Sequence, residues 1–418
     1  MDEEKLTTAI QAVLDKAGTA WSIVEHPIYD FPRIFLNPAN TEVAQLLQTL
    51  EQQQELQRFN EQIFVKPDSA ARTTLFALAR WLIDRSHDQN IQATLSDLKK
   101  YLSLDYNPTI EILAISGLTL DATVELGNGI WLAPINDVPS KNVRNALARK
   151  IIGSDPDADR PYSPLAVWME GRKPPTAALY CHSHVNPQII AEQDLINHKW
   201  ISRSDDLHDA CACLSLIGPS APRPLVYWSE LETWVPLRGD MGNGYSFVPP
   251  EVVYTTTHNF SSDYLHDAKQ LYAEYVECPS AIRTRLHVPI TRLTQAIGRT
   301  SLADKALDLG VAFESLLLSD LGKNEQLSLA LRLRGAWLLG QDLDNRVRLE
   351  KELFELYTCR SIAAHTGKID DHIKINGVRT PMQDFLQTGV ERCASMIRKI
   401  IEKGKFPDWK HLILGAPF

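Results

Sequence analysis

Residues 344–365 read DNRVRLEKELFELYTCRSIAAH, and this stretch decides how the last third of the chain is interpreted. Leu349, Leu353 and Leu356 recur at the spacing of one face of an α-helix. The next position on that face is Arg360, where a core residue would be expected. A guanidinium on such a face must lie over a cleft, an interface or a buried carboxylate. The stretch therefore predicts a bundle helix that carries an arginine with a special role.

The ends of this helix are marked by capping signals. Asp344 is the expected N-cap and Gly367 the expected C-terminal stop, which places His365 near the last turn. On a straight helix the side chains of Arg360 and His365 stand roughly 140° apart, at about 100° per residue. They converge only if the helix bends near residues 362–364, or if two copies of the chain line one cleft.

An arginine and a histidine together suit a phosphate. Arginine supplies a fixed, charged fork for the oxygens, and histidine gives or takes a proton near neutral pH. Glu314 is the expected third member, because it follows Leu307 and Val311 on one apolar stripe of its own helix. Its carboxylate would pair with Arg360 or with Arg332. The alternative is a purely structural buried ion pair.

The spacing of the pair is not decisive, because the chain holds a second arginine and histidine at the same spacing. Arg203 and His208 stand in RSDDLH, and the residues between them are acidic. Those carboxylates compete for the arginine and repel phosphate. Asp205 or Asp206 is expected to cap a following helix. We therefore interpret RSDDLH as a solvated turn that leads into a helix.

Composition and length indicate a globular protein. The chain has 418 residues, 44% of them hydrophobic and 23% charged, which predicts two to three domains. The first ten residues are acidic and polar, and no run approaches the ~18 apolar residues of a membrane span. Six cysteines are too sparse for a disulfide scaffold. We expect a cytoplasmic protein with reduced thiols and no membrane partner.

Charge is distributed unevenly along the chain. The net charge is −9, yet residues 281–418 hold 21 Lys and Arg against 16 Asp and Glu, a net of +5. The remainder therefore carries −14. This asymmetry permits a polyanionic partner for the C-terminal part without requiring one.

Hydrophobic periodicity divides the chain into three regions. Residues 1–104 read as mostly helical, with an extended stretch between the first two helices. The second of these helices is expected over 40–62, with Asn40 or Thr41 as its cap. Residues 105–255 read as a mixed α/β region of short strands, a candidate sensor or regulatory region; a Gly-Asn-Gly at 127–129 predicts a β-hairpin. Residues 256–418 carry five or six amphipathic helices with short connections, which predict a helical bundle. The fold class expected is therefore α+β multidomain with a C-terminal all-α bundle.

One constellation has the spacing of a metal site. Cys181 and His184, with His208 and Cys211, match the spacing of a four-ligand zinc site. Against zinc, Cys211 falls in an apolar helix start and reads as a small core residue, while His182 and His184 read as loop histidines. The prediction is no metal and no cofactor, with a zinc-stabilised interaction protein as an alternative. No glycine-rich phosphate loop follows a strand, and no H-E-x-x-H occurs.

The order of three segments carries a family resemblance. LDLGVAFESLLL, then LALRLRGAWLLG, then LFELYTCRSIAAH followed by TG together resemble the HEPN superfamily, in particular the Apea-like HEPN domain. The family's R-x4–6-H motif, with a polar residue after the arginine, is matched by Arg360, Ser361 and His365. Its A-x-E-x-L run is matched around Glu314. The common HGG ending is HTG here, and the resemblance covers roughly the last third of the chain.

This resemblance implies a HEPN-like bundle that forms a homodimer around the motif. Catalytic members are metal-independent endoribonucleases, often in anti-phage defence or toxin systems. Carried over here, Arg360, His365 and Glu314 would be catalytic, and Ser361, Arg332 and Lys368 would bind the RNA. The product would end in a 2′,3′-cyclic phosphate. A trigger ligand or a phage protein would engage the N-terminal region, by analogy alone.

The alternative belongs to a different class of protein. A HEPN module that keeps the fold without catalysis would bind RNA, a nucleotide or a protein partner. The presence of both Arg360 and His365 favours the enzyme, because a purely structural bundle has no need of the pair.

Overall fold

The computed structural model describes residues 1–25, 32–66, 70–140, 143, 175–197, 199, 202–218, 220–237, 244–247, 257–321, 326–375 and 377–415. The chain forms two compact units, and neither is a continuous segment. The N-terminal unit comprises Met1–Ala114, Ile135–Leu207 and Val226–Val248. The C-terminal unit comprises Ile115–Pro134, His208–Leu225 and Pro249–Phe418. These interleaved units differ from the consecutive regions 1–104, 105–255 and 256–418 expected from composition.

Helices occur in both compact units. Within the described ranges they are α1 (Glu3–Leu14), α2 (Thr41–Glu51), α3 (Leu75–Asp88), α4 (Ile91–Leu102), α5 (Ser204–Leu214), α6 (Ser262–Glu277), α7 (Ser280–Gly298), α8 (Leu302–Leu317), α9 (Leu327–Leu339), α10 (Leu343–Thr366), α11 (Met382–Lys403) and α12 (Trp409–Ile413). Short 3-10 helices span Gln54–Phe59, Ile135–Asp137 and Glu192–Asn197.

The strands are short, apart from three of nine or ten residues. They are β1 (Trp21–Glu25), β2 (Pro32–Leu36), β3 (Ile63–Val65), β4 (Ala70–Arg72), β5 (Asn107–Ser116), β6 (Leu118–Thr119), β7 (Val124–Gly127), β8 (Ile130–Pro134), β9 (Ala177–Val185), β10 (Ile189–Ile190), β11 (Arg223–Leu231), β12 (Gly244–Phe247), β13 (His258–Asn259), β14 (His372–Ile375) and β15 (Val378–Pro381).

The N-terminal unit packs α1 to α4 around one apolar core. Side-chain caps begin these helices; Asn40, for example, accepts hydrogen bonds from the backbone N–H groups of Glu42 and Val43 at the start of α2, as the sequence predicts. The extended stretch after α1 is confirmed as the antiparallel pair β1–β2. The single long helix expected over 40–62 is wrong, because α2 ends at Glu51 and a 3-10 helix follows.

Two groups of neighbouring strands complete the N-terminal unit. In one the order is β10-β3-β4, and in the other β12, β11, β5 and β9 are adjacent in that order. All ten residues of β5 are buried, which is typical of a strand covered on both faces. The mixed α/β character expected for the middle of the chain is thus present.

The C-terminal unit is mainly helical. The sequence predicts five or six amphipathic helices, and the structure has six of them, α6 to α11. The β-hairpin predicted at 127–129 is also confirmed, because β7 pairs with β8 and Gly127, Asn128 and Gly129 all have positive φ angles. A second hairpin, β14–β15, interrupts the helices between α10 and α11 and was not predicted.

Helix α8 is the central helix of the C-terminal unit. It packs against α7, α9, α10 and α11, and ten of its sixteen residues are buried. Side chains cap α8 and α10 at their starts. Asp342 caps α10 by accepting from the Asn345 backbone N–H, so the N-cap expected at Asp344 is wrong by two residues.

Candidate functional site

Arg360 lies where α10 crosses α8. Leu349, Leu353 and Leu356 are buried as the periodicity predicts, and Arg360 follows them on the same face. The stem of Arg360 packs across Gly310 of α8. A Cβ added at that glycine would lie only 2.7 Å from the Arg360 Cβ, so no larger residue fits without a shift. The glycine thus lets the two helices approach closely at this point.

The Arg360 guanidinium reaches Glu314, one turn further along α8. Its Nη2 donates to the Glu314 Oε2 at 3.2 Å, and the two side chains are 31% and 27% exposed. An ion pair this open to solvent contributes on the order of 1 kcal/mol or less to stability. Stability alone therefore explains little of why this ion pair is present. We interpret the pair as holding the guanidinium in place at the edge of the buried face.

Most of the donor capacity of Arg360 remains unused. A guanidinium carries five N–H groups, and Glu314 takes one of them. The Nε is buried and has no hydrogen-bond partner in the part of the chain that the structure describes. With the Nε buried, the Nη groups are the N–H donors that remain for an anion.

His365 is exposed in the last turn of α10. The helix continues without a break to Thr366, and Gly367 ends it with φ 70° while its N–H donates to the Ala363 carbonyl. The C-terminal stop predicted at Gly367 is confirmed. The helix is unbroken between the two basic residues, so regular helix geometry turns their side chains roughly 140° apart.

The residues predicted to bind the RNA lie in two different places. Ser361 is half-buried directly after the arginine, and Lys368 is exposed just beyond the helix cap. Arg332, in contrast, does not pair with Glu314: its Nη1 lies 2.7 Å from Glu350, which is ten residues before Arg360 on α10. That pairing takes Arg332 out of the immediate surroundings of Arg360.

The second R-x4-H spacing lies at the start of a helix, so the expected solvated turn is wrong. Asp205 and Asp206 lie inside the first turn of α5, and neither is the N-cap that was expected. The Arg203 Nε donates to Asp206 at 2.8 Å, and the helix that contains His208 begins at Ser204. The arginine is thus engaged by the carboxylate that was expected to compete for it.

The zinc constellation gains no support. Among the described residues, no group of three or more His, Cys, Asp or Glu side chains is arranged to hold a metal ion. Burial and nearby Glu111 raise the pKa of the Cys181 thiol to about 12, and burial raises the pKa of Cys211 to about 12. The loop assignment of His182 and His184 is wrong, because both lie on β9, where His182 contacts Glu232 at 2.9 Å.

Two features of the site were not identified from the sequence. Gly310 was overlooked, although a glycine inside an apolar helix is itself a sign of close packing. The outer face of α10 was also overlooked. It exposes Leu343, Val347, Phe354 and Ile362, each at least 43% exposed, and His365 lies on the same side.

Replacing Gly310 with alanine is expected to destabilise the fold and displace Arg360. Alanine gains about 1 kcal/mol of helix propensity, but overpacking costs about 1–3 kcal/mol. The atoms in the way are Arg360 Cβ and Cγ, close to the α10 backbone, so the crossing must open. Urea unfolding measures the loss of stability.

Gly389→Ala is the matched control for this change. A Cβ at Gly389 meets only the terminal methyl groups of Leu309 and Leu356, at 2.7 and 2.8 Å, and these side chains can shift. The loss at Gly389 should be the smaller of the two. A Gly310→Ala protein at least as stable as the wild type would contradict the close crossing.

Comparison with known proteins identifies no relative. No protein-family model matches the chain, and no curated protein and no solved structure is significantly similar to it. Within the described ranges, every helix is too short or too polar to cross a lipid bilayer.

Proposed function

We propose that the protein is a metal-independent endoribonuclease of the HEPN type, active as a homodimer in the cytoplasm. The observation that carries this proposal is the placement of Arg360 and His365. Arg360 is held by Glu314 across Gly310, and His365 stands exposed on the same unbroken helix. The family resemblance of the last third of the chain supplies the reaction class.

The chemistry follows from the two side chains. One His365 removes the proton from a ribose 2′-OH, and the 2′-oxygen attacks the adjacent phosphorus. The bond from phosphorus to the 5′-oxygen breaks, and a second His365 gives that oxygen its proton. Arg360 stabilises the added charge on the pentavalent intermediate through its remaining Nη N–H groups. The products are a 2′,3′-cyclic phosphate and a 5′-hydroxyl.

A second copy of the chain is needed for this scheme. The two basic side chains diverge on one straight α10, so a single chain does not present both to one phosphate. In a two-fold dimer the same helix of both copies can line one cleft, so that the arginine of one copy approaches the histidine of the other. Ile362, 46% exposed and one turn from His365, gives that helix an apolar contact. Ser361 and Lys368 lie beside it and complete the proposed RNA contacts.

The proposal extends to the biological role. By the same resemblance, the protein would act as an anti-phage defence or toxin-like effector. The N-terminal unit would then receive the trigger, either a ligand or a phage protein. This part of the proposal rests on analogy with such systems.

A non-catalytic HEPN module that binds RNA, nucleotide or protein is the second candidate. One observation favours it: Glu314 already engages Arg360, and His365 does not approach that pair within the chain. A module of this kind would use the basic residues for binding without chemistry.

Cleavage of labelled RNA separates the two candidates. The full-length protein is incubated with RNA in the presence and absence of EDTA, and the product ends are analysed by mass spectrometry. Cleavage that persists in EDTA and leaves 2′,3′-cyclic phosphate ends is expected. RNA that is bound but left intact would favour the non-catalytic module. Cleavage that EDTA abolishes would contradict the mechanism.

A further inference from the structure

A small cleft lies on the C-terminal unit between α9, α10 and β14. Its volume is about 130 Å³, and its lining includes Arg332, Glu350, Lys351, Phe354, Glu355 and Lys374. A space of this size is comparable to one that accepts a single aromatic ring. The catalytic scheme proposed for Arg360 and His365 does not use this cleft.

An aromatic platform forms one wall of the cleft. Phe354 is 43% exposed, and the Arg332 guanidinium lies over its ring at 5.0 Å from the centroid. Glu350 holds Arg332 at 2.7 Å, and the Arg332 Nε also donates to the Ser328 carbonyl at 3.2 Å. An exposed ring beside a fixed guanidinium is an arrangement that stacks nucleobases.

The charges around the ring suit a phosphate backbone. Glu350 is neutralised by Arg332, which leaves Lys351, Lys374 and one carboxylate, Glu355, on the cleft lining. Both lysines are exposed. A carboxylate at this place is an acceptor for an amino group of a base, while the lysines attract the phosphates on either side.

The cleft lies in line with His365. Eleven residues of α10 separate Phe354 from His365, which is about 16 Å of rise and about 20° of rotation. The two side chains therefore stand on one side of the helix, several nucleotides apart along an extended strand. A strand stacked at Phe354 would run along α10 toward the histidine.

We propose that this cleft binds one base of single-stranded RNA, stacked on Phe354, with the flanking phosphates on Lys351 and Lys374. The proposal rests on the nuclease function proposed above and defines the form of its substrate. RNA is thereby recognised as a single strand, because a paired base is not available to stack on the ring.

Binding without cleavage tests this subsite independently of the chemistry. A fluorescent single-stranded RNA with 2′-O-methyl groups has no nucleophilic 2′-OH, and its anisotropy reports the Kd of the full-length protein. Phe354→Ala is expected to raise the Kd about tenfold, the loss typical of one stacked base, whereas Phe354→Trp should bind like the wild type. Phe35→Ala removes an exposed ring of the N-terminal unit and is the matched control.

Two further measurements make the result decisive. Lys351→Glu with Lys374→Glu should weaken binding and flatten its salt dependence, and this variant leaves the ring in place if Phe354→Ala fails to fold. With cleavable RNA, Phe354→Ala should raise KM more than it lowers kcat.

The outcomes separate the two proposals. Equal Kd values for wild type, Phe354→Ala and the lysine variant would overturn the subsite even if RNA is cut at the Arg360 site. A wild type that does not bind the RNA would also overturn it. Weaker binding by Phe354→Ala in a protein that cuts no RNA would support the subsite and contradict the nuclease.

Discussion

Alanine at Arg360 or at His365 is expected to lower RNA cleavage by about 10²- to 10⁴-fold. His365→Ala removes the group that moves the proton, and Arg360→Ala removes the charge that stabilises the phosphorane. His365 is exposed, so its loss should leave stability unchanged. Initial rates on a labelled RNA give the effect, and thermal unfolding shows whether each variant is folded.

A second R-x4-H pair in the chain provides a control for the spacing of the motif. Arg203→Ala and His208→Ala remove the other R-x4-H pair, in which Asp206 engages the arginine. Neither change should alter cleavage beyond its effect on folding. Equal activity in wild type, Arg360→Ala and His365→Ala would contradict the site assignment, and a matching loss in the Arg203 and His208 variants would point to stability as the cause.

Arg360→Lys distinguishes charge from geometry. Lysine keeps the positive charge but presents no planar fork, and the Glu314 contact at 3.2 Å then depends on a flexible ammonium. We expect an activity between those of wild type and alanine. Full activity with lysine would mean that only charge is needed at this position.

The helices of the C-terminal unit could be predicted because each buries one face. Repeats such as Leu349, Leu353 and Leu356 indicate which side of the helix faces the core. The observed helix, Leu343–Thr366, agrees closely with the predicted one. The same pattern placed Arg360 on the inner face. The partner of Arg360 could not be fixed in the same way, because periodicity specifies which face of a helix is buried and not the position along the helix at which another helix crosses it.

The sequence did not determine which charged side chains pair between the helices, because that depends on how the helices pack in three dimensions. Glu314 pairs with Arg360 rather than with Arg332 because α10 crosses α8 at Gly310, and Arg332 pairs with Glu350. The interleaving of the two units has the same origin, since residues distant in the chain join one core. Local propensity carries no information about such long-range contacts.

The predicted N-cap of α10 was wrong for a local reason. Asp342 and Asp344 both precede the first buried leucine, and both have side chains suited to an N-cap. The structure places the cap at Asp342, so the helix begins two residues earlier, at Leu343, which is 73% exposed. A buried residue at position 343 would have indicated that the helix starts there, whereas an exposed leucine gives no such signal.

Ile362→Glu is expected to convert the protein to a monomer and abolish cleavage. If two copies meet on this face of α10, symmetry places two glutamates in the interface, and each buried, unpaired charge costs several kcal/mol. The dimer Kd should rise by at least about 10³-fold. Sedimentation and the concentration dependence of the cleavage rate measure the change, and wild-type activity should fall on dilution.

Val347→Glu is the matched control for that change. Val347 is 47% exposed against 46% for Ile362, and it lies on the same helix about 22 Å away along the axis. It should remain dimeric and active. A monomeric Ile362→Glu protein with full activity would show that one chain is sufficient, despite the divergence of Arg360 and His365.

Mixing two inactive variants provides the direct test of a shared site. A heterodimer of Arg360→Ala with His365→Ala retains one intact arginine on one copy and one intact histidine on the other. If the two copies line one cleft, the mixture should recover a small but measurable part of the wild-type rate, because one Arg360 and one His365 are then present together while the second His365 of the scheme is missing; neither variant alone has both side chains. Recovery should disappear when both variants also carry Ile362→Glu, because the copies then no longer meet. A mixture as inactive as its components, with heterodimers demonstrated by sedimentation, would contradict the proposal that arginine and histidine act across the interface.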